Sequence, residues 1–223
     1  MSRSLHIRQR QRLATVGLVC IAAFVLALVA LHATARGRLP SHMSQFANSP
    51  FGLFWALALY CLILGTSTLV WALGPCLRDG LSKRAGISML ALAGIGALLL
   101  ATFPTDAVQP YTWMGILHDD AAATTFVLLS GAMVVLTPAL RSSQVLNRFS
   151  APSFVLGVLA SLALVVYLLT TINHWDGRGV AQRILVAIIL SWFALLAVRL
   201  RRDLPAGRSA APARHGQPAS LNP

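Results

Sequence analysis

From Leu13 to Leu200 the sequence repeats one pattern, an apolar run followed by a short polar break. A hydrocarbon layer about 30 Å thick is crossed by about 20 helical residues. Six runs meet that length: Leu13–Leu31, Phe51–Leu73, Ala85–Phe103, Ala121–Leu140, Pro152–Ile172 and Val180–Leu200. In lipid every backbone polar group must be satisfied internally, which leaves helices or a closed barrel. The runs are apolar on both parities, so they lack the alternation of barrel strands. The expected fold is therefore all-α, a polytopic membrane bundle of six transmembrane helices. At 57% hydrophobic and 11% charged residues, the chain has too little polar surface for a soluble domain.

The breaks divide the chain. Residues 1–12 form a basic N-terminus with Arg3, Arg8, Arg10 and Arg12, and the run after it is longer than a signal-peptide core. It is read as a retained first span. Gly74-Pro75 stops the second run, and Pro104 ends the third, whose Gly86, Gly94 and Gly96 suit close helix packing. Pro152 fits the first turn of the fifth span. Arg183 and Arg199 extend the short sixth core by running their stems along lipid. Residues 13–202 make the transmembrane domain, and the Pro-, Ala- and Gly-rich segment 203–223 is expected to be a disordered tail. Cys20, Cys61 and Cys76 form no CxxC and read as small packing residues.

Six spans put both termini on one side of the membrane. If that side is cytoplasmic, it holds all the Lys and Arg except Arg36, Arg38, Arg178 and Arg183, the asymmetry of the positive-inside rule. The expected location is the inner (plasma) membrane with both termini cytoplasmic. The net charge of +12 is explained by these flanks, so nucleic acid is not an expected partner. The same topology sends His32, His42, His118, His174, Asp106, Asp119, Asp120 and Asp176 to the outer side.

The longest break, Phe103–Asp120 (FPTDAVQPYTWMGILHDD), holds three of the six acidic residues and no Lys or Arg. His118-Asp119-Asp120 is placed at the start of the fourth span, where carboxylates cap exposed N–H groups. One Asp would suffice for a cap, and an ionisable group at membrane depth is a functional candidate. His118, Asp119 and Asp120 are therefore the candidate catalytic residues. His174 and Asp176 lie in a second outer turn, where a His-Trp pair also suits the interfacial belt. If the two segments meet, His118 and His174 are candidate metal ligands, although no HExxH or other compact ligand spacing occurs. A metal-free alternative has one of these histidines act as general base with an aspartate. Ser41 and Ser44 are loop serines outside any GxSxG context. Arg183 either pairs with Asp106, Asp119 or Asp176 or clamps the phosphate of a lipid head group. No phosphate-binding loop or dinucleotide fingerprint is present, so no cofactor is specified.

Three sets of residues carry a family resemblance. They are the Phe103-Pro104-x-Asp106 exit with Leu117-His118-Asp119, the Gly179-x-x-Gln182-Arg183 approach to a span with Trp192 and Arg199-Leu200, and Ser49-Pro50 before the second span. Over Leu13 to Arg202 the chain resembles the uncharacterised bacterial six-helix membrane family catalogued as domain of unknown function nine-ninety-eight. Ser44-Gln45 and Gln182-Arg183 depart from the acidic residues common there, removing two carboxylates. The resemblance implies the topology and no catalytic role.

The expected molecule is a multi-pass membrane protein with an outward polar pocket. His118, Asp119, Asp106 and Arg183 are placed at its centre, and His174 and Asp176 at its rim. Its expected partners are the bilayer and either a lipid head group or another membrane protein. The rival reading is a membrane-embedded, metal-dependent or metal-free lipid hydrolase or transferase using His118 and Asp119. A proton-coupled transporter fits less well, because spans two, three and five contain no charged residue.

Overall fold

A computed structural model describes residues 3–35, 42–106 and 111–203. Seven α-helices and three short 3-10 turns occur among them, with no strand. The helices are α1 (Arg3–Thr34), α2 (Gly52–Leu73), α3 (Leu81–Thr102), α4 (Trp113–Val135), α5 (Thr137–Arg141), α6 (Ser150–Ile172) and α7 (Arg178–Asp203). All but α5 contain segments long and apolar enough to cross a membrane. The tail from 204 onward, together with Arg36, Arg38 and Ser41, lies outside the described residues.

The long helices form a ring in the order α2, α1, α7, α6, α4, α3, closing between α3 and α2. That last join is the loosest of the six. One close crossing is between α1 and α2, where Gly17 and Gly65 bring two backbones together. A Cβ on Gly65 would stand 2.6 Å from the Cys20 Cβ and 3.1 Å from the Gly17 carbonyl oxygen. Lipid tails are as apolar as leucine, so packing and interhelical hydrogen bonds, rather than a hydrophobic effect, hold such helices together.

A buried relay ties three helices on the opposite side. Trp192 Nε1–H on α7 donates to Ser153 Oγ on α6 at 2.8 Å, and the Ser153 hydroxyl donates to the Met133 carbonyl on α4 at 3.0 Å. Phe149 and Phe193 pack on the Trp192 ring with centroids at 5.9 and 5.0 Å. The three cysteines are free, as expected.

The two ends of the ring differ in charge. One gathers the starts of α1, α3 and α6 with the ends of α2 and α7, and with them most of the arginines. Contacts such as Arg10 to Cys76 Sγ (3.9 Å) and Gln11 to the Arg201 carbonyl (3.3 Å) close it. The other end carries the described histidines and aspartates apart from His6, Asp79 and Asp203, and is knitted by Asn48 Nδ2–H to the Thr105 carbonyl (2.9 Å) and the Met43 N–H to Gln182 Oε1 (2.8 Å). Here it is called the polar end.

Candidate functional site

The later part of the Phe103–Asp120 break, from Trp113 onward, is helix. α4 begins at Trp113, so the expected start at Ala121 is corrected by two turns. The cap is Thr112, whose hydroxyl oxygen accepts the Gly115 N–H at 3.2 Å. Asp106 supports it from upstream, accepting the Thr112 N–H at 2.6 Å and its hydroxyl at 3.1 Å. This works because residue 115 is glycine: a Cβ there would collide with the Asp106 carboxylate. Asp106 is therefore spent on α4's first turn. His118, Asp119 and Asp120 lie in the second turn and are not its cap.

That displacement turns α4's polar residues toward the interior of the ring. A cavity of about 1060 Å³ occupies the interior, and His118, Asp119, Ala122, Thr125, Phe126 and Leu129 line its α4 wall. The spacing is one helical face. α7 contributes Arg178, Gln182, Val186, Ile189 and Phe193, again one face, and α6 contributes Tyr167 and Thr171. The longest walls, on α2 and α3, are apolar and include the exposed Trp71, Ile95 and Leu98, and with the loosest join of the ring between these two helices the cavity opens there. Polar residues crowd the polar end: His42, Ser44, Gln45, Asp106, His118, Asp119, His174 and Arg178.

His118 is the most enclosed of these, only 3% exposed. Its Nδ1 lies 2.8 Å from the Phe103 carbonyl oxygen, which can only accept. In the neutral ring Nδ1 therefore carries the proton and Nε2 is left as an acceptor, with no protein partner among the described residues. Beside it Asp119 is an exposed carboxylate on the cavity wall with no hydrogen bond or ion pair to a described residue.

Arg183 is not where the sequence reading placed it. Its Nε–H donates to His32 Nε2 at 2.9 Å and its NH1 group to the Gly179 carbonyl at 2.8 Å. His32 can accept because its Nδ1–H is held by the Leu28 carbonyl at 2.7 Å. Arg183 thus faces α1 and a smaller hollow between α1 and α7, away from Asp106 and Asp119. Asp120 and Asp176 are exposed and outside the cavity lining. Among the described residues no three His, Cys or Asp side chains gather closely enough to share a metal ion. Ser44 lines the cavity without a hydrogen bond to a histidine.

His174 has a different distinction. It ends α6 in the left-handed region, φ 54°, with the Trp175 N–H on the Thr170 carbonyl (2.9 Å) and the His174 N–H on the Thr171 carbonyl (3.1 Å). This double bond pattern places glycine at the left-handed position in most helices. Here the position carries an imidazole at the cavity rim instead.

Arg178, His42, Tyr167 and Gln182 were missed as site residues. The signal for Arg178 and Gln182 was their spacing of four, which puts both on one face of a helix, with Arg183 turned about 100° away. His42 meets Tyr167 edge-on at 6.2 Å. Burial, and then the positive charges of Arg178 and Arg183, hold the His42 imidazole below its ordinary 6.5. The unfolded chain therefore takes up this proton first as pH falls. The contribution to stability is complete above about pH 6.5 and is lost as pH drops toward the lower folded-state value. A melting series from alkaline to acidic pH should show the wild type losing more stability below that point than His42→Gln. Parallel profiles for the two proteins would remove this role.

A family model described as "Protein of unknown function (DUF998)" matches residues 18–199. No curated protein and no solved structure matches the chain.

Proposed function

Because the chain belongs to the DUF998 family, which is described as being of unknown function, we propose its function from the cavity: it holds one membrane amphiphile inside the helical ring. The apolar chains would lie between α2 and α3, and the polar head would lie against His118, Asp119 and Arg178. The observation that carries this reading is the division of one cavity into a long apolar body and a polar end. Its volume of about 1060 Å³ is at the top of the range of about 300–1,000 Å³ for small-molecule sites. The opening between α2 and α3 faces where acyl chains are. By the positive-inside rule the polar end would be on the outer side of the inner (plasma) membrane.

Gly94 supplies the test. It lines the cavity, and a Cβ there meets nothing within 4 Å. Gly94→Trp should therefore fill the cavity without disturbing the helices. Purified wild type should carry co-purifying lipid by native mass spectrometry, and the variant should carry about tenfold less at unchanged thermal stability. Equal lipid in both proteins would refute the proposal.

The second reading, a hydrolase or transferase, is favoured by one observation. The Phe103 carbonyl fixes the tautomer that leaves His118 Nε2 able to act as a base at the cavity wall. It requires turnover: lipid incubated with wild type would be converted, and His118→Ala would leave it intact.

A further inference from the structure

Two opposite charges line the polar end of the cavity without meeting. Asp119 on α4 and Arg178 at the start of α7 form no ion pair with each other or with any other described residue. The Asp106 carboxylate is already occupied by the N–H and hydroxyl of Thr112. Arg178 is also the first residue of α7, where the helix dipole opposes a positive charge and favours an anion.

A partner that satisfies both charges must itself carry both. An anionic head group would suit Arg178 and be repelled by Asp119, and a simple cation would meet the reverse. The neighbour of Asp119 narrows the choice further. His118 lines the cavity and its Nε2 accepts without a partner among the described residues, so it calls for an N–H or O–H donor. A primary ammonium has three such hydrogens and can serve the carboxylate and the imidazole together. A quaternary ammonium has none.

We propose, resting on the amphiphile-binding reading above, that the polar end recognises a zwitterionic head group, with a primary ammonium at Asp119 and His118 and a phosphate at Arg178. A phosphoethanolamine ester has this chemistry. It selects against the choline analogue through the missing N–H donors, and against the glycerol analogue through the unpaired Asp119. Ser44 and Tyr167 are among the hydroxyl-bearing residues of the lining that could donate to the remaining phosphate oxygens.

The test uses the full chain in detergent, offered equimolar phosphatidylethanolamine, phosphatidylcholine and phosphatidylglycerol of matched acyl chains and read by native mass spectrometry. Wild type should retain the ethanolamine lipid about tenfold over the other two, the discrimination of one charge-assisted hydrogen bond. Asp119→Asn, an exposed conservative change, should bring ethanolamine and choline lipids to parity. Arg178→Gln should weaken both. Two results overturn the proposal: preference for the glycerol lipid, or no preference among the three in wild type. In the second case Gly94→Trp still separates the readings: if it strips all three lipids, amphiphile binding stands and head-group recognition falls. If it strips none, the cavity itself is not the site. O-phosphoethanolamine identifies the source. Displacement of lipid only by other lipid supports the proposal, whereas stabilisation by the soluble head group alone, with no lipid bound, overturns it in favour of a water-borne zwitterion.

Discussion

Gly65→Leu is expected to cost the fold about 3 kcal/mol, the upper part of the usual range for overpacking. The added side chain has no direction in which to yield. Its Cβ alone would stand 2.6 Å from the Cys20 Cβ and 3.1 Å from a backbone oxygen, and Gly17 across the crossing is equally tight, 2.5 Å from Leu69 Cγ. Backbone does not move aside as a flexible side chain does, so α1 and α2 must separate. α1 and α2 share the most extensive contact in the ring, and separating them loses it, because attraction between packed atoms falls off within a fraction of an ångström. Fluorescence-detected size exclusion should show the monodisperse peak lost in Gly65→Leu and kept in Gly94→Leu, whose Cβ enters open space. Two intact peaks would show that the crossing is not close-packed.

Trp192→Ala should produce a loss of similar size by the opposite route, an empty space. The indole is fully buried at 0% exposure and touches Phe149 and Phe193. For a buried Trp in a water-soluble core, truncation costs about 3–5 kcal/mol. A helix separated from its partners in lipid is still in an apolar medium, so the transfer part of that cost shrinks and the lost packing remains. The lower figure, about 3 kcal/mol, is the expectation here. The hydrogen bond is separable from the volume. Trp192→Phe and Ser153→Ala each break the bond to Nε1 and should cost about 0.6–1.7 kcal/mol, as interhelical bonds in membranes do. Their double variant should cost no more than the larger single one. Unfolding in mixed detergent measures all four. A Trp192→Ala protein within 1 kcal/mol of wild type would place the fold's stability elsewhere.

The membrane architecture was legible because its signal is long and local. Twenty uncharged apolar residues have few alternatives, and the six spans appear where the runs are. Helix ends were less legible. His118-Asp119-Asp120 looks like a capped start, but the real start depends on Asp106 reaching Thr112 across six positions and on Gly115 admitting its carboxylate. Sequence spacing does not encode such a nonlocal cap.

The segments that line the cavity were legible, and the contacts their side chains make were not. Asp106, His118, Asp119 and His174 do line one cavity. Arg183 was favoured over Arg178 because it stands inside an apolar run, which measures depth and not direction. At 100° per residue, depth and facing are independent, and only packing against α1 turned Arg183 toward His32. The apolar walls on α2 and α3 were invisible for a different reason. In a membrane helix, lipid-facing and cavity-facing residues are equally apolar, so no periodic contrast separates them.

Under the proposed amphiphile binding, the loose closure between α3 and α2 would set how occupancy is governed. An opening toward the hydrocarbon would receive its ligand from a two-dimensional solvent that is itself made of amphiphiles. Every neighbouring lipid would then be a competitor, and the site would never be presented with a dilute ligand. What decides its occupant is the ratio of affinities weighted by mole fraction, not an aqueous dissociation constant. A tenfold preference for one head group would fill the site with a lipid that makes up half the leaflet and leave it contested where that lipid is a tenth. The protein would respond to bilayer composition with no change in its own abundance.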